Sequence, residues 1–115
     1  MNKLISSLLF GFALLAFSFT AKSATETITF KVNGTSACES QIENIVSNLE
    51  GVTSADWDPS TQIITVVFDT DTIKKEYFYF ELAKGGYDNQ GLRAKEVYYN
   101  ALPDACKYTR EPEVD

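Results

Sequence analysis

Hydrophobic positions fall into two regimes along this chain. From Leu8 to Phe19 the run is apolar apart from Gly11 and Ser18, whereas from Thr27 onward apolar and polar residues alternate or recur at helical spacing. Ile28, Phe30 and Val32 alternate with Thr27, Thr29 and Lys31, the period of a strand buried on one face. Asn33-Gly34 breaks it. Ser36 followed by Glu39 fits a capping box at a helix start, Ile42, Ile45, Val46 and Leu49 follow at helical spacing, and Gly51 stops that helix.

Val52, Ala55 and Trp57 predict a short second strand, closed by Asp58-Pro59-Ser60. Ile64, Val66 and Phe68 against Ile63, Thr65 and Val67 predict a third strand, β-branched on both faces and therefore central. Asp69-Thr70-Asp71-Thr72 offers cap chemistry for a second helix from Ile73 to about Lys84, with Phe78, Leu82 and Ala83 facing the sheet. Four aromatics in a row, Tyr77-Phe78-Tyr79-Phe80, also suit a strand, but their helical neighbours and Gly85-Gly86 decide for helix. Leu92 to Tyr99 predicts a fourth strand, and a tail with Pro103, Cys106 and Pro112 follows Asn100. The order βαββαβ is the ferredoxin-like arrangement of the α+β class: a four-stranded antiparallel sheet with two helices on one face.

The first apolar run has another purpose. Lys3, the apolar stretch and Ala21-Lys22-Ser23 have the charge, apolar and small-residue order of a secretory signal, and the run is shorter than the roughly 20 residues a spanning helix needs. Cleavage after Ser23 is expected, giving a leader (1–23), a domain (24–100) and a tail (101–115), with no membrane insertion once the leader is removed. The location expected is periplasmic or secreted. Lys3 and Lys22 leave with the leader, so eight cations face sixteen carboxylates and the formal net charge moves from −6 to −8. That balance argues against nucleic acid and anionic membrane surfaces, which need clustered cations.

Four short stretches, in order and spacing, resemble the heavy-metal-associated family. They are Phe30-Lys31-Val32-Asn33-Gly34, Leu49-Glu50-Gly51-Val52, Val66-Val67-Phe68-Asp69 and Leu82-Ala83-Lys84-Gly85-Gly86-Tyr87, and the resemblance covers Thr27 to about Val97. It implies copper(I) or mercury(II) as cargo and a metal loop Gly-Met-x-Cys-x-x-Cys between strand one and helix one. Here that loop is Gly34-Thr35-Ser36-Ala37-Cys38. Counting back from Gly51-Val52 puts Cys38 at the second ligand position and Thr35 at the first, while counting forward from Gly34 puts Cys38 between the two. The helix count is the firmer, because loops are where length changes accumulate. Tyr87 matches a family aromatic packed beneath the metal loop.

Soft-metal donors are few: Cys38, Cys106, no histidine, and a methionine only at Met1. Copper(I) and mercury(II) are expected to want two thiolates. Two uses of the cysteines follow. An exported chain favours a Cys38–Cys106 disulfide, since the tail has the length to double back through Pro103-Asp104; the other use is a dithiolate metal site, with Cys106 or a partner's thiol beside Cys38. The corresponding functions are soft-metal binding or transfer and a metal-independent module meeting another envelope protein through a sheet edge or its acidic face. Glu39, Glu43 and Glu50 read as a solvated helix face. Without histidine, a phosphate loop or spaced carboxylates, the chain is not expected to be an enzyme.

Overall fold

A computed structural model describes residues 24–113; the leader expected at 1–23 lies outside them. Strand β1 (Thr25–Lys31) is followed by a 3-10 turn at Ser36–Cys38, helix α1 (Glu39–Ser47), strands β2 (Val52–Asp58) and β3 (Ile63–Asp69), and helix α2 (Lys75–Lys84). A short helix α3 (Glu96–Asn100) and a second 3-10 turn at Asp104–Cys106 complete the chain. Among the described residues no helix is long and apolar enough to cross a membrane.

The α+β class stands, but the sheet has three strands rather than four, in the order β1-β3-β2, all antiparallel. β3 is central, and its even residues Ile64, Val66 and Phe68 are buried. They meet Phe30 from β1, Trp57 from β2, Ile42 and Val46 from α1, and Phe78 and Leu82 from α2. Edge-to-face aromatic pairs tie sheet to helix, Phe68 on Phe78 at 5.0 Å and Phe30 on Tyr79 at 4.9 Å between centroids, each contributing about 1 kcal/mol beyond its buried area. Trp57 is packed in this core and donates its indole N–H to Val32 O at 3.0 Å.

The fourth strand expected over Leu92–Tyr99 does not form; Glu96–Asn100 is helical. Beside β1 this part of the chain pairs only through residues that precede the expected strand, where Asn33 N–H donates to Asp88 O at 2.8 Å and Gln90 N–H to Lys31 O at 2.9 Å. Side chains then turn the chain away. Asn89 Oδ1 accepts the Gly91 and Leu92 amides, and the Asp88 carboxylate accepts the Ala94 amide at 2.8 Å. Because even residues of β1 bond to β3, as Val32 N–H to Gln62 O shows, Thr27 and Thr29 direct their backbone groups to an edge that no described strand covers.

Two helix starts differ from expectation. The Ser36 and Glu39 side chains make no capping box: α1 begins after a 3-10 turn, with no side-chain cap at Thr35 or Cys38. Asp69 folds its own turn, accepting Asp71 N–H and Thr72 Oγ1–H at 3.0 Å each, so α2 starts at Lys75 rather than Ile73. Its buried face is the one expected, Phe78, Leu82 and Ala83.

Candidate metal centre

The loop between β1 and α1 is held against the core by what surrounds Gly34. A Cβ there would come within 2.5 Å of Ile42 Cδ1 and 3.3 Å of the Trp57 ring, so only glycine lets the backbone lie so close. Gln62 Nε2 fixes it further by donating to Gly34 O at 2.7 Å. Cys38 N–H then donates to Thr35 O at 3.0 Å, which closes the 3-10 turn and places Cys38 at the start of α1.

The tail returns to this loop. After α3, Leu102 is buried and Pro103 leads into the turn Asp104–Cys106, which carries Cys106 to Cys38. The two residues form a disulfide with Cα atoms 5.6 Å apart, and they are only 4% and 1% exposed. Thr35 Oγ1–H donates to Ala105 O at 2.7 Å, a second tie beside the first. With its hydroxyl committed to the tail and Cys38 bonded to Cys106, the helix start is set by the tail instead of by Ser36 and Glu39.

Aromatic side chains floor the site. Tyr87 is buried, donates its hydroxyl to Gln41 Oε1 at 3.2 Å, and stacks on Tyr108 with centroids 6.3 Å apart. The same Gln41 oxygen lies 3.7 Å from Cys106 Sγ, a packing contact, since a disulfide sulfur has no proton to donate. Burial raises the phenol pKa of both tyrosines, which keeps them protonated donors at neutral pH. Tyr108 uses its hydroxyl fully, donating to Gly86 O at 2.8 Å and accepting Asp88 N–H at 2.7 Å.

Arg110 completes the clamp and has no counterpart in the sequence reading. Its Nε and Nη2 donate to the Asp88 carboxylate at 2.9 and 2.6 Å, and its guanidinium lies 4.8 Å from the Tyr99 ring centroid. Burial works against ionisation of Asp88, but the Arg110 and Ala94 hydrogen bonds outweigh it and hold its carboxyl below the usual range. No local periodicity marks a pair 22 residues apart in turns, which is why sequence pattern misses it.

Glu39, Glu43 and Asp56 also come together, with carboxylate oxygens within 4.8 Å of one another. Glu43 is not simply solvated, since Oε2 accepts the Trp57 amide at 2.8 Å. A hydrogen bond with Glu43 raises the Glu39 pKa, helped by slight desolvation and the neighbouring carboxylates. Such hard oxygen donors do not suit soft ions. The sulfur pair is the only soft-donor group among the described residues.

The profile of the heavy-metal-associated domain matches residues 29–88. The chain belongs to that family. Solved structures agree: the CopZ metallochaperone is 26% identical with a TM-score of 0.53, covering 56% of this chain and 98% of that one. Oxidized MerP from Ralstonia metallidurans CH34 is 30% identical with a TM-score of 0.55, covering 58% and 96%. The water-soluble region of the P-type ATPase CopA from Bacillus subtilis is 25% identical with a TM-score of 0.55, covering 60% and 47%. Among curated protein sequences none matches the chain. The family is that of heavy-metal-associated domains, and the similar CopZ is a metallochaperone, not an enzyme. The family match ends at Asp88, so α3, Cys106, Tyr108 and Arg110 lie beyond it.

Proposed function

We propose that this domain binds or passes on a soft metal ion, copper(I) or mercury(II), through Cys38 and Cys106 in its reduced form. One observation carries the reading: the tail delivers a second sulfur to the one cysteine of the family's loop. Opening the bond takes two electrons and two protons from a dithiol donor, which leaves as a disulfide. The Thr35, Tyr108 and Arg110 hydrogen bonds do not depend on the sulfurs, so the tail stays docked and the thiols stay near each other. A helix start favours the thiolate at Cys38, and two thiolates match the softness of the cargo.

The same reading takes 1–23 as a leader cleaved after Ser23, 24–100 as the metal-associated domain and 101–115 as its latch, in a periplasmic or secreted protein. Export and the disulfide agree in redox terms. Reduced protein titrated with mercury(II) or copper(I), followed by native mass spectrometry, should take up one ion per chain. Cys38→Ser and Cys106→Ser should each lose it. Binding by wild type no tighter than by Cys38→Ser would remove the reading.

A second reading rests on the uncovered edge of β1 at Thr27 and Thr29. There the disulfide is purely structural and the edge pairs with a strand of another envelope protein. Thiol state separates the two. Protein isolated from the envelope that keeps its disulfide under physiological dithiol donors supports the second reading.

A further inference from the structure

The part of the chain beyond the family match builds a surface together with α2. Between α2 and the α3 segment lies a groove of about 230 Å³ lined by Phe80, Ala83, Leu92 and Tyr98, with Lys84, Arg93 and Lys95 on its rim. Phe80, Leu92 and Tyr98 are 48%, 43% and 38% exposed, and Tyr77 extends the surface by stacking on Phe80 at 6.4 Å. Three exposed apolar side chains converging on one concavity mark an interaction surface rather than scattered exposure.

Charge says what fits there. The chain carries sixteen acidic against ten basic residues, yet the groove lining holds three cations and no carboxylate. Two of those cations have exposed partners within the chain: Lys84 pairs with Glu81 at 3.6 Å and lies 5.4 Å from the Phe80 ring centroid, while Arg93 pairs with Glu113 at 3.9 Å and donates to Glu111 O at 2.8 Å. Exposed pairs of this kind contribute at most about 1 kcal/mol and exchange readily. Glu113, from this chain's own tail, shows that the rim can take a carboxylate. The volume lies below the roughly 300–1,000 Å³ of small-molecule sites and suits one or two side chains.

We propose that this groove docks an acidic segment of a partner protein, with one bulky apolar side chain seated among Phe80, Leu92 and Tyr98 and flanking carboxylates on Lys84, Arg93 and Lys95. An apolar anchor in a pocket supplies affinity, and rim charge selects the partner. The surface is independent of the sulfur pair, so it operates whether or not the domain carries metal.

The test is amide NMR of the oxidised, full-length mature protein with a synthetic peptide of aspartates and serines around one central phenylalanine. At about 1 mM peptide, enough to reveal weak binding, amide shifts should centre on Phe80, Leu92, Arg93 and Tyr98. Lys95→Glu, an exposed change that leaves the core alone, removes a rim cation and adds a repelling charge, and should weaken binding about fivefold. Phe80→Ser should abolish it, and replacing the peptide's phenylalanine by serine should do the same. The proposal is overturned by an unshifted groove, by equal response to the serine peptide, or by phosphatidylglycerol vesicles shifting the groove where the peptide does not.

Discussion

Asp88 and Arg110 meet as a two-pronged ion pair, Nε at 2.9 Å and Nη2 at 2.6 Å from the carboxylate oxygens, at the residue where the family match ends. The pair joins the last position of the family match to the tail that replaces its fourth strand. Both side chains are largely buried, at 10% and 14% exposure. Arg110→Ala therefore leaves a largely buried carboxylate without its paired cation, and the expected loss is about 3 kcal/mol in urea unfolding. Arg110→Lys keeps the charge without the fork and should recover only part of it.

Acid should undo the same contact. The Asp88 pKa is lowered in the folded chain, so its contribution is fully present above the unfolded aspartate value of about 3.9 and is lost as pH falls through the lower folded value. The difference in stability between wild type and Asp88→Asn should be constant from neutrality to about pH 4, by that unfolded value, and shrink below it. Urea midpoints across this range measure the effect, and a difference that grows with acid would refute it.

Gly86 makes the tail's seat possible. Its φ is +101°, and a Cβ would lie 2.8 Å from both Leu102 Cγ and Tyr98 O. Gly86→Ala thus meets strain and collision together, and should cost about 2 kcal/mol or more. Gly85, whose φ is negative and whose nearest neighbour is the Ile45 side-chain tip, should tolerate alanine better.

The sequence makes the sheet and helix faces legible because burial on one side writes a period into the residues. Phe30, Ile64, Val66, Phe78 and Leu82 follow that period and are all buried. Leu92 to Tyr99 alternates well enough to suggest a strand, yet Asn89 and Asp88 turn the chain by side-chain hydrogen bonds that pattern does not register. Cys38 and Cys106 stand out by type. Their setting does not, since Tyr108 and Arg110 reach the site only through the tail's path across the fold.

Removing the disulfide should cost stability through the unfolded state. The cysteines are 68 residues apart, and closing so long a loop accounts for about 4 kcal/mol in the chain-entropy description. Cys106→Ser should lower the melting temperature by on the order of 20 °C for a domain this small. Reductant should lower wild type by a similar amount and leave Cys106→Ser unchanged.

Thr35 offers the strictest test of where the metal loop lies. Thr35 and Cys38 have the spacing of the family's two loop cysteines, and Thr35 Oγ1 now spends its hydrogen bond on Ala105 O. Cys106→Ser removes the tail's thiol and, on the proposed reading, leaves a single soft donor. Thr35→Cys in that background supplies a second donor from the loop itself, with no help from the tail. The double variant, fully reduced, should regain one mercury(II) or copper(I) per chain, whereas Cys106→Ser should hold neither tightly. Recovery places Cys38 at the second ligand position, as the helix count requires. Failure in a variant whose circular dichroism and melting match those of Cys106→Ser would mean that Cys38 has moved out of register with the family site, and the metal reading would then depend on Cys106 entirely.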